Sequence, residues 1–474
     1  MTDVFARRPE GEPGLRFYAE GVPSSLTVPA VPLPALLDDA ARRFGARTAL
    51  SHDGRWTGFR ALRRSVVRVA GALERLGVRR GTWVLALLPD CPELVVLSQA
   101  VWRVGAVLVP WDPADHRAAE AAVAGRAGPL AVVVPHDMGA EVAGAWGCEL
   151  LVTVDVARPR PPSRSAPGDA AARPRVKRQP SPVVVRWRDL ARRGAERLPA
   201  AWERPWARGP EPDDIAVVRY GRTGAPIALC HRHLVAAAHQ LACWYPELSR
   251  RRGRLLSLAP LWTLQGLVLV TLAAPLVGAR AVLVTDPAPA TVLRAARRTA
   301  PTVLAAPPAA LAGLLGRPAH EREALGTVRA VLTAPLDAET GQRVREACGA
   351  RLVEGFGPAA ACGVALANPP TADARSGTAG LALPGTRVRI AVEGALSADA
   401  LPGHAGELLL RGPQVSRVRV GGVEDVLPGG WLRTGRIAVR GPDGFVTLVR
   451  DGPARPRRGG DASGGGPDGG ARRG

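Results

Sequence analysis

The sequence predicts an α/β protein with mostly parallel sheets and a small β-rich subdomain toward the C-terminus, on three observations. Short, wholly apolar runs alternate with segments of helical period, the pattern of strands covered on both faces by helices. The longest apolar run, 266–278, contains Pro275 and is too short to span a bilayer, so it reads as a buried helix and no membrane association is expected. Past residue 386 the runs shorten and alternate, with turn signals at Pro402-Gly403, Gly421-Gly422, Pro428-Gly429-Gly430 and Asp443-Gly444.

Taken in order, 36–44 places apolar residues at helical spacing. A strand at 48–51 and a turn at Asp53-Gly54 precede a helix over 59–76, where Leu62, Val66, Val69, Leu73 and Leu76 share a face and Gly77 ends the element. A strand at 84–88, a helix at 93–104 and a strand at 106–110 form the first strand–helix–strand unit, which 131–135 and 150–154 continue. Residues 158–182 mix Pro, Arg, Ser and Ala without period, too polar to offset ordering entropy by burial, and read as a disordered basic linker. Strands at 215–218, 254–258, 281–284, 302–305 and 330–332 then alternate with helices from His231 and at 289–298, 309–315 and 337–348. The expected division is therefore 1–157 and 183–385 as α/β subdomains, 158–182 as linker, 386–449 as the β-rich subdomain and 450–474 as a disordered Gly/Arg tail.

With 474 residues the chain can bury a large core. Its net charge of +21 would ordinarily suggest an acidic partner. The excess is arginine, because Lys177 is the only lysine, and Ala, Gly and Pro are also abundant, a profile of GC-rich, bacterial coding. A nucleic-acid partner is thus not favoured, although a basic nucleic-acid-associated protein using the linker and tail is one alternative. Six cysteines form no CxxC pair and read as free thiols of a reducing cytoplasm, and residues 1–10 contain no apolar signal core. Cys230, His231, His233, His239 and Cys243 lack metal-ligand spacing, so no metal site is expected there. The absence of a Gly-x-Ser-x-Gly elbow argues against a serine hydrolase.

The stretch 217–234 carries the one anion-binding layout: strand, a loop of Tyr220, Gly221, Arg222, Thr223 and Gly224, then a helix whose N-terminus would add partial positive charge. The loop holds no lysine and a single aliphatic hydroxyl, that of Thr223.

Eight segments in order resemble the adenylate-forming superfamily of acyl-CoA synthetases, aryl-CoA ligases and related AMP-binding enzymes. They are Leu88-Pro89-Asp90-Cys91-Pro92-Glu93, Arg103-Val104-Gly105-Ala106-Val107-Leu108-Val109-Pro110, Pro260-Leu261-Trp262 with Gly266, Glu354-Gly355-Phe356-Gly357, Leu383-Pro384-Gly385, Gly406-Glu407-Leu408, Arg411-Gly412-Pro413-Gln414-Val415 and Gly430-Trp431-Leu432-Arg433-Thr434-Gly435. The resemblance implies the large N-terminal domain of an adenylate-forming enzyme, with stacked α/β subdomains. It implies ATP-dependent carboxylate adenylation followed by thioester formation, with ATP/AMP, Mg²⁺ and coenzyme A as cofactors if activity is retained. The implied nucleotide pocket is Tyr220–Gly224 with Gly355, Phe356 and Gly357, and the implied acyl pocket is Trp262, Thr263 and Gly266; the tryptophans mostly read as core, with Trp244 and Trp262 as the two that would alternatively line the acyl channel.

Every reactive position departs from the family pattern. Ile227 stands where the phosphate loop has lysine, Ala359 and Ala360 replace a Thr-Glu pair that serves phosphate and Mg²⁺, and Arg436 replaces the aspartate that accepts hydrogen bonds from ribose. The tail takes the place of a C-terminal domain with its own lysine. The expectation is a catalytically degenerate homologue that binds a carboxylic-acid ligand or a partner enzyme. An active ligase of altered geometry, using Arg222, Arg436 and a partner's C-terminal domain, is the other alternative.

Overall fold

The computed structural model describes residues 13–123, 130–156, 182–193, 209–220, 226–249, 253–416 and 426–451. Three sheets organise them. A seven-stranded sheet runs in the order Val183–Arg186, Leu150–Val154, Leu130–Pro135, Trp83–Ala86, Val107–Pro110, Ile215–Tyr220 and Pro226–Cys230, all neighbours parallel except the last pair. A nine-stranded sheet has a parallel centre, Arg351–Phe356, Ala330–Thr333, Val303–Ala305, Arg254–Ser257, Arg280–Leu283 and Thr48–His52, with antiparallel strands at both edges. The third sheet is antiparallel and is built from strands between Arg387 and Asp451. The predicted α/β class with a β-rich C-terminal part is what the chain adopts.

Sheet membership does not follow chain order. Thr48–His52 pairs with Arg280–Leu283, while Val183–Arg186 and the 215–230 strands join the first sheet, so the expected break at 182/183 separates neither α/β sheet from the other. Parallel neighbours must be reached by crossovers, and here two crossovers carry the chain between sheets. Residues 158–181 of the expected linker lie outside the described residues, as do 452–474 of the expected tail. Arg450 and Asp451, assigned from sequence to that tail, instead complete the strand Val446–Asp451 against Trp431–Arg440, because pairing extends to Arg436↔Asp451.

The helices follow their sequence signals. In Phe59–Arg75 the residues Leu62, Val66, Val69 and Leu73 are buried, Leu76 caps the helix half-buried, and Gly77 follows at φ 97°. Asp337 caps Ala338–Cys348 by accepting from the Thr340 N–H. The run 266–278 is a buried helix as predicted, with a widened π turn at Leu269–Ala273. Pro275 has no N–H to give the Thr271 carbonyl; Gln99 Nε2, from helix Pro92–Arg103, donates to it instead at 2.8 Å.

Candidate functional site

Four of the singled-out segments converge at the end of the nine-stranded sheet where its parallel strands finish. The strand Arg351–Phe356 ends in Glu354-Gly355-Phe356, and Gly357 opens a tight loop through Ala359–Ala361. Both glycines are dictated by packing. A Cβ on Gly355 would stand 2.8 Å from the Leu366 carbonyl, and one on Gly357 2.5 Å from Val364 backbone. The loop continues through Cys362 at φ 56° and Gly363 at φ 85°, where a Cβ would meet the Gln265 nitrogen at 2.6 Å. The 358–363 loop therefore lies against the start of the helix Leu264–Val268.

Ser416 ties that loop to the 226–230 strand. Its N–H donates to the Ala360 carbonyl at 2.8 Å, and its Oγ donates to the Ala228 carbonyl at 2.5 Å. Ile227, half-buried beside Ala228, thereby comes to the same neighbourhood as Ala359 and Ala360. Arg436 enters from the third sheet, its guanidinium carbon 6.0 Å from the Phe356 ring centre. Its N–H donates to Thr434 Oγ1, and Thr434 Oγ1 donates to the Leu408 carbonyl.

The strand–loop–helix reading of 217–234 requires correction. Pro226–Cys230 is a strand that pairs antiparallel with Ile215–Tyr220, so the helix His231–Trp244 follows a second strand rather than the 220–224 stretch. Two apolar runs around a small-residue turn are themselves a hairpin signal, and the run Ile227-Ala228-Leu229 carried it. That helix's N-terminus is also already satisfied. His233 Nδ1 accepts from the Cys230 N–H at 3.0 Å, the Cys230 thiol caps in return, and the His231 N–H bonds the Asp214 carbonyl. His231 is fully buried, with Nδ1 accepting from the Leu33 N–H. Burial lowers its pKa to about 4. An anion has no access there.

Gly221, Arg222, Thr223 and Gly224 lie outside the described residues. Tyr220 does not join the crevice. Its hydroxyl donates to the Ala122 carbonyl at 3.0 Å and its ring packs on Trp111 at 5.2 Å. Of the acyl-pocket residues, Thr263 caps its helix by accepting from the Gly266 N–H, and a Cβ on Gly266 would lie 2.3 Å from the Pro260 carbonyl. Both are accounted for by local structure. Trp262 is half-buried and remains a wall candidate. Trp244 is corrected from channel to core: it is fully buried, its Nε1 donating to the Asn368 carbonyl at 2.9 Å.

The one carboxylate in the Glu-Gly-Phe-Gly segment is structural. Glu354 is 1 % exposed; its Oε1 accepts from the Leu336 N–H at 2.8 Å and the Gly377 N–H at 3.0 Å. Burial raises its pKa, opposed by those bonds. Among the described residues no group of three or more His, Cys, Asp or Glu is placed to hold a metal ion. A hard cation such as Mg²⁺ needs several oxygen ligands. Ile227, Ala359 and Ala360 supply none, Glu354 is committed to backbone, and Ser416 Oγ donates to Ala228, so the donor set among the described residues does not fit Mg²⁺.

Sequence reasoning missed two polar features. Asp90, at the end of the first sheet, accepts from the Leu261 N–H at 2.8 Å and fixes the 260–262 turn, and burial pushes its carboxyl up to about 7. Gln240, Thr386 and Gln414 form a buried hydrogen-bonded cluster linking helix His231–Trp244 to the third sheet. An acid in the apolar context of 84–94 was the available signal for the first; nothing in the spacing joins the second.

With this arrangement in hand, comparison with known proteins defines the class. The AMP-binding enzyme family model matches residues 37–418, and the chain belongs to that family. It is 26% identical over 460 residues to a long-chain-fatty-acid–CoA ligase of Bacillus subtilis (strain 168), covering 92% of this chain and 80% of the relative. It is 29% identical over 445 residues to triostin synthetase I of Streptomyces triostinicus, covering 88% and 75%. In fold it is similar to an anthranilate CoA ligase in complex with anthranoyl-AMP, with TM-score 0.73, 21% identity and coverage of 89% and 78%. A long-chain-fatty-acid-CoA ligase from Archaeoglobus fulgidus gives TM-score 0.73, 20% identity and coverage of 92% and 87%.

Proposed function

We propose that this member of the family has lost ATP-dependent adenylation and acts by binding, with a carboxylic-acid ligand or a partner enzyme as its target. The observation that supports the reading is the junction at which Ser416 bonds the Ala228 and Ala360 carbonyls, which draws the strand of Ile227 and the loop of Ala359 and Ala360 together, with aliphatic side chains at positions the family fills with charge and oxygen. Joining a carboxylate to a triphosphate brings two anions together, so preorganised positive charge and oriented donors are the largest source of rate. Loss of a single such group costs about 10²–10³ in rate. The losses here fall on one site and act together. The half-buried Trp262 beside the Asp90-anchored turn supports a residual acyl pocket. Six free thiols support a reducing, cytoplasmic setting.

The second reading, an active ligase of altered geometry, draws on Arg436, whose guanidinium reaches the Phe356 ring. Pyrophosphate exchange into ATP across a panel of aliphatic and aromatic carboxylic acids separates the two. The degenerate reading expects exchange at background for every acid. Robust exchange with any acid, abolished by Arg436→Ala, would establish the second reading in its place.

A further inference from the structure

At the opposite end of the nine-stranded sheet, where the parallel strands begin, a cavity of about 650 Å³ is lined by Arg47, Arg254, Arg280, Arg298 and Trp56, and among the described residues no aspartate or glutamate lines it. Arg254 and Arg280 are register partners on adjacent parallel strands, so their side chains leave one face about 4.8 Å apart. Like charges in that relation are destabilising on their own. Part of their purpose is structural. Arg254 Nε donates to the Ala300 carbonyl and an Arg280 Nη to the Thr299 carbonyl, at the end of helix Pro289–Thr299. A helix C-terminus supplies roughly half a negative charge, too little for four guanidiniums.

The remainder is uncompensated. Arg280 Nε is buried without a hydrogen-bond partner, and its guanidinium lies 4.5 Å from the Trp56 ring centre, itself 56% exposed. Arg47 and Arg298 are exposed and make no ion pair among the described residues. Burial, and next the Arg254 charge, lower the Arg280 pKa, as expected for cations held together without an anion. The neighbouring cavity of about 640 Å³ differs, because it contains Glu247, already paired with Arg351.

We propose that the Arg254–Arg280 cavity binds a small phosphorylated molecule, its phosphate held between those two guanidiniums and its remainder bounded by Arg47, Arg298 and Trp56. Guanidinium forks match phosphate oxygens in pairs, and a phosphate with its higher charge and three free oxygens can engage several guanidiniums of such a cluster at once. A concave site of this volume suits a single small molecule better than a nucleic-acid strand. The site lies away from the crevice at 354–363 and does not depend on its chemistry.

Titration calorimetry of the full chain at low ionic strength, with inorganic tripolyphosphate and ADP as probes, tests the assignment. Saturable tripolyphosphate binding is expected, weakened about tenfold or more in Arg280→Gln and in the Arg47→Gln/Arg298→Gln double variant, and unchanged in Arg351→Gln. The double variant removes two exposed side chains, and an unaltered melting temperature confirms that it is folded. No binding by the unaltered chain, equal binding by the folded double variant, or preference for a single-stranded oligonucleotide with affinity rising with its length would each overturn the proposal.

Discussion

Asp90 carries the clearest consequence at the scale of single residues. Burial raises its carboxyl from the ordinary carboxylate range to about 7. A pKa raised on folding contributes stability that is complete below about pH 4 and is lost as pH rises to about 7, a change of roughly 4 kcal/mol. Asp90→Asn keeps an acceptor for the Leu261 N–H and removes the charge. Its urea unfolding free energy is expected to exceed that of the unaltered protein at pH 8 and to converge with it toward pH 4; parallel pH dependences would contradict this. His231 acts in the opposite sense. Its pKa is lowered to about 4, so its contribution is present above about pH 6.5 and is lost as pH falls through about 4. His231→Gln is expected to flatten that acid limb. Among the glycines, Gly266→Ala and Gly357→Ala force a Cβ into backbone at 2.3 and 2.5 Å, and each is expected to cost about 1–3 kcal/mol in denaturant unfolding.

Individual elements show what the sequence could and could not reveal. The helix Phe59–Arg75 and five strands of the nine-stranded sheet, those beginning at Thr48, Arg254, Arg280, Val303 and Ala330, were legible because apolar residues repeat at the helical period or run together in a strand. The pairing of Ile215–Tyr220 with Pro226–Cys230 was not, because the glycine-containing sequence between them resembled a loop before a helix and the five residues Pro226–Cys230 were too few to declare a strand against it. Ser416 lay one residue past a quoted motif, and its bonds to Ala360 and Ala228 cross 56 and 188 positions of chain that no local pattern links. Ser416→Ala leaves the Ala228 carbonyl without that donor; a loss of about 1–3 kcal/mol is expected, with faster amide exchange concentrated in 226–230 and 358–363. Gln99→Leu similarly orphans the Thr271 carbonyl beside Pro275 and is expected to cost about as much, read by thermal unfolding.

Across the whole molecule, family and fold were readable from eight motifs in order, whereas the way the two α/β sheets exchange strands was not. The pairing of Thr48–His52 with Arg280–Leu283 is a property of packing between distant segments. The same division applies to the crevice. Its departures at Ile227, Ala359, Ala360 and Arg436 are visible in the sequence, but only the structure joins the strand of Ile227 to the loop of Ala359 and Ala360 through Ser416 and shows Glu354 committed to the Leu336 and Gly377 N–H groups. Among the described residues no helix is long and apolar enough to cross a membrane. The proposed loss of phosphate chemistry on a retained scaffold makes nucleotide affinity, measured apart from turnover, the decisive quantity. Calorimetric titration of ATP into the full chain, with and without Mg²⁺, tests this most directly. The account expects no Mg²⁺-dependent binding, and any weak heat to be removed by Arg280→Gln because it arises at the arginine cavity. Saturable, Mg²⁺-dependent ATP binding that survives Arg280→Gln would contradict it.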